Sequence, residues 1–111
     1  MSMDYNSLKD KALQISNLYD RLNKQRGQQV WDSQAVMAGF VGDVGDLSKL
    51  IMAKNNLRSK DDIDEKLAHE LSDCLWSILV LADKLGIPLD IAFMSTMNEL
   101  QQNVSARLTI S

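Results

Sequence analysis

Val41-Gly42-Asp43-Val44-Gly45-Asp46-Leu47 places two acids three residues apart in an otherwise apolar run. A second stretch, His69-Glu70-Leu71-Ser72-Asp73-Cys74-Leu75-Trp76, repeats that spacing with Glu70 and Asp73. Residues three apart share one face of an α-helix, so each stretch offers a pair of neighbouring carboxylates once it is helical. Apolar surroundings make such charges costly unless something pairs with them. Asp61/Asp64 and Asp62/Glu65 have the same spacing, but they lie where helix capping and the helix dipole explain them. Two explanations stand for the interior pairs: a bound cation, or salt bridging at the core edge by Lys49 or Lys66.

Outward from these stretches the chain is helical in pattern. Tyr5, Leu8, Ala12, Ile15, Leu18, Tyr19 and Leu22 recur at helical spacing, and Gly27 fits the C′ stop of this first helix. Asp32 or Ser33 can cap a second helix running to about Lys54, with the stripe Val36, Met37, Phe40, Val44, Leu47 and Ile51. Asp43 falls within that apolar arc and Asp46 on its border. Gly39, Gly42 and Gly45 each weaken the helix by roughly 1 kcal/mol relative to Ala, which calls for close approach of another helix or a ligand. Ser59 with Asp62, or Asp61 with Asp64, suits the cap of a third helix. Its main face is Leu67, Leu71, Cys74, Leu75, Ile78, Ala82 and Leu85. Trp76, Val80 and Leu81 make its second half apolar nearly all round, as in a central helix or one shared with a second subunit. Gly86 ends it, and Pro88 suits the first position of a fourth, amphipathic helix carrying Leu89 to Leu108.

Residues 1–111 therefore form a single all-α domain of four helices. A hydrophobic share of 45% and a charged share of 24% are those of a soluble globular chain. The net charge of −3 and pI near 5.0 argue against a nucleic-acid polymer as partner. The longest apolar run, Cys74 to Ala82, is too short to cross a bilayer, which argues against membrane insertion. No secretory signal is visible at Met1–Tyr5. The lone Cys74 lies among apolar residues as a buried inert thiol, consistent with a reducing, cytoplasmic setting.

Oxygen-only ligands favour a hard cation, Mg²⁺ or Mn²⁺. A di-iron bundle needs Glu-x-x-His motifs, and the single histidine, His69, precedes Glu70. No Gly-rich phosphate loop, Ser/His/Asp set or cysteine nucleophile is present in the pattern.

The two acidic stretches together, Gly42-Asp43-Val44-Gly45-Asp46-Leu47 and Glu70-Leu71-Ser72-Asp73, resemble those of the MazG-like, all-α nucleoside triphosphate pyrophosphohydrolases. That signature is Glu-Glu-x-x-Glu on one helix and Glu-x-x-Asp on the next, and the similarity runs from about Trp31 to the last helix. The resemblance implies a helical bundle completed by homo-oligomerisation, as a homodimer or homotetramer. It implies Mg²⁺-dependent cleavage of a nucleoside triphosphate to monophosphate and pyrophosphate, a house-cleaning activity. Asp43, Asp46, Glu70 and Asp73 take its metal-ligand and catalytic positions. Trp31 takes the place of a base-stacking aromatic, and Lys49, Lys54, Arg58, Arg107 and Asn98 are candidates for substrate contacts. The chain departs from the pattern in three ways. Gly42 stands for the first Glu, Asp43 and Asp46 are each one methylene shorter than Glu, and Thr96 and Leu100 stand where relatives carry Lys and Asn. The alternative is a metal-, nucleotide- or partner-binding module of the same fold with little turnover.

Overall fold

The computed structural model describes residues 3–55 and 62–110. Four helices follow one another, α1 (Tyr5–Gln25), α2 (Ser33–Asn55), α3 (Ile63–Lys84) and α4 (Leu89–Ile110), with no strand among the described residues. Their starts and stops follow local chemistry. The Asp4 carboxylate accepts from the Ser7 backbone N–H at 2.9 Å, and Asp32 accepts from that of Ala35 at 2.8 Å, so each satisfies a free donor of the first turn. Asp62 precedes α3 without a side-chain cap bond and pairs instead with Lys66 at 3.1 Å. The caps expected from Ser59 and Asp61 lie outside the described residues. Pro88 sits one position before α4, its carbonyl accepting from Ala92 N–H at 2.9 Å.

Gly27 and Gly86 carry φ values of 68° and 69°, the left-handed conformation that ends a helix. Gly86→Ala is expected to cost roughly 1–2 kcal/mol, because a Cβ is strained there. Thermal unfolding checks it, with α1–α3 helicity unchanged below the transition.

α3 is the central element. α2 packs antiparallel along one side of it and α1 along another. Ala12, Val36, Leu79 and Val80 form the core, joined by Tyr5, Trp76, Leu81 and Leu89. Trp76 ties α3 to α1 by donating its indole N–H to the Ala12 carbonyl at 3.0 Å. Lys54 pairs with Asp64 and so fixes the end of α2 to the start of α3.

Three sequence expectations change here. The core side of α3 is Cys74, Ser77, Leu79, Val80 and Ala82, whereas Leu71, Leu75, Ile78 and Leu85 of the expected main face stand exposed. An all-round apolar helix has two faces to bury, and this chain covers one of them. Among the described residues, no atom of another element lies within 4 Å of where a Cβ of Gly39, Gly42 or Gly45 would stand. Finally, α4 does not pack as a fourth bundle member. It joins the others at its root, where Leu89, Phe93 and Met94 line an apolar groove of about 410 Å³ with Tyr5, Leu8, Leu75, Ile78 and Leu79. Beyond that root Met97, Leu100, Val104 and Leu108 are all exposed.

The consequence is an open shape. The radius of gyration is 17.8 Å, against about 13 Å for a compact chain of this length. The accessible surface is 8765 Å², against roughly 6,200 Å² for a folded monomer of this mass. No helix among the described residues is long and apolar enough to cross a membrane.

Candidate functional site

The antiparallel register of α2 and α3 sets Asp46 opposite Glu70 and Asp43 near the same level. Carboxylate oxygens of Asp43, Asp46 and Glu70 lie within 4.8 Å of one another, drawn from both helices. Asp46 is exposed, and Asp43 and Glu70 are half-buried. Glu70 Oε2 is itself buried and meets no hydrogen-bond donor among the described residues. Neither Lys49 nor Lys66 neutralises the trio: Lys66 turns to Asp62, and Lys49 has no ion-pair partner among the described residues. Core-edge salt bridging by these lysines therefore does not account for the acids.

The fourth expected ligand stands apart. Asp73 Oδ2 lies 3.1 Å from Nε2 of His69, its neighbour one turn back on α3. It borders the trio without joining it, and the i,i+4 geometry of a helix explains why.

Crowding is visible in the acids' proton affinities. Burial pushes the Asp43 carboxyl above its ordinary range, with the Asp73 and Asp46 carboxylates adding to the rise and His69 opposing it. Glu70 is raised for the same reasons, burial first and then Asp43, Asp46 and Asp73, again opposed by His69. Burial also lifts the Cys74 thiol, helped by Asp43, Glu70 and Asp73, which makes it an inert thiol rather than a nucleophile.

An acid whose folded pKa exceeds its unfolded value takes up protons more readily when folded, so it favours folding as pH falls and opposes it near neutrality. In EDTA, Asp43→Asn with Glu70→Gln is expected to melt above the wild type at pH 7. The gap should close as pH falls through the raised pKa values toward the ordinary 3.8 and 4.5. Melting curves across that range check it, and a constant gap would mean that folding does not raise the two carboxyls.

Two clefts flank the trio. On one side a pocket of about 510 Å³ is lined by Tyr19, Trp31 and Trp76 together with Asp43 and Asp73. Tyr19 lies 4.8 Å from Trp31, with the rings tilted by 34°, and 5.9 Å from Trp76 in an edge arrangement. Ser77, nearly fully buried, also lines it. On the other side a cleft of about 530 Å³ is lined by Asp46, Lys49, Leu50, Glu65, Lys66, His69 and Glu70.

Of the expected substrate contacts, Trp31 and Lys49 line these clefts. Lys54 is committed to Asp64 and lines neither. Asn98 and Arg107 stand exposed on α4 and line neither, and Arg58 lies outside the described residues. Tyr19 and Trp76 join the site neighbourhood without having been singled out for it. Tyr19 carries the helical spacing of a core residue, and the α1–α3 packing sets Trp76 beside it.

No family model, curated protein or solved structure matches the chain.

Proposed function

We propose that the chain is a Mg²⁺-dependent nucleotide pyrophosphohydrolase of the MazG-like, all-α kind, working as a homodimer or homotetramer. The observation that carries this reading is the convergence of Asp43, Asp46 and Glu70 from two helices, with Glu70 Oε2 buried and unpartnered. The donor set fits a hard divalent cation, Mg²⁺ or Mn²⁺: all ligands are carboxylate oxygens, and three of them leave positions for water and phosphate oxygens. Such an ion, when bound, supplies positive charge to the phosphates and acidifies a coordinated water.

The chain's own residues do the rest. Trp31, Tyr19 and Trp76 offer flat apolar surface for a base, and the trio lies beside that pocket where the α-phosphate of the same molecule falls. Water attacks the α-phosphorus, the bond from that phosphorus to the bridging oxygen breaks, and pyrophosphate departs. One carboxylate of the trio accepts the water's proton. Incubation with Mg²⁺ and a panel of ribo- and deoxynucleoside triphosphates is expected to give monophosphate and pyrophosphate. Release of orthophosphate instead, or no product from any nucleotide, would overturn the reading.

One observation favours the weaker-turnover alternative. Asp73 is held by His69 beside a trio whose two α2 members are the shorter Asp. A module that binds Mg²⁺ or nucleotide without cleaving it would show a raised melting temperature with Mg²⁺ and an intact nucleotide panel.

A further inference from the structure

The cleft on the far side of the trio from the aromatic pocket differs from it in kind. Its cations are Lys49 from α2 and Lys66 from α3, with the His69 imidazole beside them. The antiparallel register orders the whole seam along its length. The aromatic pocket begins at the level of Val36 and Gly39, the carboxylates follow at Asp43, Asp46 and Glu70, and Lys49 faces Lys66 beyond them. Gly39 and Lys49 are ten residues apart on one helix, which is about 15 Å of rise. That length is comparable with an extended nucleoside triphosphate from base to terminal phosphate.

Resting on the nucleotide reading above, we propose that Lys49, Lys66 and His69 form the subsite for the leaving pyrophosphate. The triphosphate then lies along the α2–α3 seam, its base toward Trp31 and its terminal phosphates toward the end of α2. Both lysines are available for the task. Lys49 has no ion-pair partner among the described residues, and the Lys66–Asp62 pair is exposed on both sides, at 58% and 50%. An exposed pair of this kind contributes little and is exchanged readily for a doubly charged phosphate. Asp46, Glu65 and Glu70 also line the cleft and outnumber its two lysines, so pyrophosphate enters only with a divalent cation at the trio. The lysines act on the β- and γ-phosphates alone, because the α-phosphate lies over the carboxylates. Holding those phosphates also places the breaking bond in line with the attacking water.

The test is calorimetric binding of inorganic pyrophosphate in excess Mg²⁺ to the wild type, Lys49→Gln, Lys66→Gln and the double variant, with a nucleoside monophosphate as the second probe. Each single change is expected to weaken pyrophosphate binding about tenfold or more, the size of one charge-assisted hydrogen bond. Monophosphate binding should hold within about twofold, and Lys49→Arg should retain most of the pyrophosphate affinity. Melting curves confirm that the variants fold. No pyrophosphate binding by the wild type, unchanged affinity in the double variant, or equal loss of both probes would overturn the subsite. Lysine-dependent pyrophosphate binding without triphosphate cleavage would uphold the subsite and overturn the hydrolase reading. Cleavage with an unaltered KM in the double variant would do the reverse.

Discussion

Glu70→Gln is expected to lower Mg²⁺-dependent nucleotide cleavage at least about 100-fold, the scale on which metal-site partners and general bases act. The change keeps the shape of the side chain and removes its charge. Its stability effect should have the opposite sign: without metal the variant should melt at or above the wild type, because Asp43 and Asp46 lose a repelling neighbour. That combination, lost turnover with kept or raised stability, separates a site residue from a structural one. Asp73→Asn provides the internal contrast. Asp73 is engaged by His69 outside the trio, so its loss should cost about tenfold, the lower end of what an outer partner of a metal site contributes. A loss equal to that of Glu70→Gln would show that Asp73 leaves His69 and joins the ligands when the cation binds. Steady-state kinetics with pyrophosphate detection read both variants.

The second large effect concerns assembly. The surface of 8765 Å² exceeds that of a compact monomer of this mass by about 2,600 Å². Stable interfaces bury about 800 Å² per partner, and obligate homodimers bury more. Leu71, Leu75 and Ile78 on α3 and the length of α4 beyond Met94 supply apolar area that the chain itself leaves uncovered. Sedimentation equilibrium is expected to find a dimer or tetramer. Met97→Asp with Leu100→Asp should weaken that association at least about 100-fold, since each large side chain contributes roughly 1.5–3 kcal/mol when buried and a charge opposes burial further. Both residues are exposed within their own chain. Helicity of α1 to α3 should therefore survive, and a wild type that sediments as a monomer would contradict the expectation.

Much of this fold is legible in the residues because its signals are local. Gly27 and Gly86 end helices by adopting positive φ, Asp32 caps α2 through its own carboxylate, and the four apolar repeats mark four helices. The acid pairs are legible for the same reason, since helical spacing puts i and i+3 side by side. What crosses between helices is less so. An apolar stripe does not say which of its faces the same chain will cover, so Leu75 and Val80 look alike in sequence and differ fully in exposure. Charge pairing has the same ambiguity. His69 and Asp73 are one turn apart, as are Asp62 and Lys66, and both pair along α3, whereas Lys54 pairs across to Asp64. The aromatic pocket required α1 to be docked on α3, because Tyr19 meets Trp31 across the end of α1 and meets Trp76 only where the two helices pack.

Asp43, Asp46 and Glu70 are proposed to hold a divalent cation together. Mn²⁺ titration followed by water-proton relaxation tests it most directly, comparing the wild type with Glu70→Gln at matched concentration and confirmed fold. The wild type should bind Mn²⁺ with enhanced relaxation that Mg²⁺ competes away, and the variant should bind at least tenfold more weakly. Absence of enhancement in the wild type, or equal binding by the two proteins, would contradict a metal site at these carboxylates.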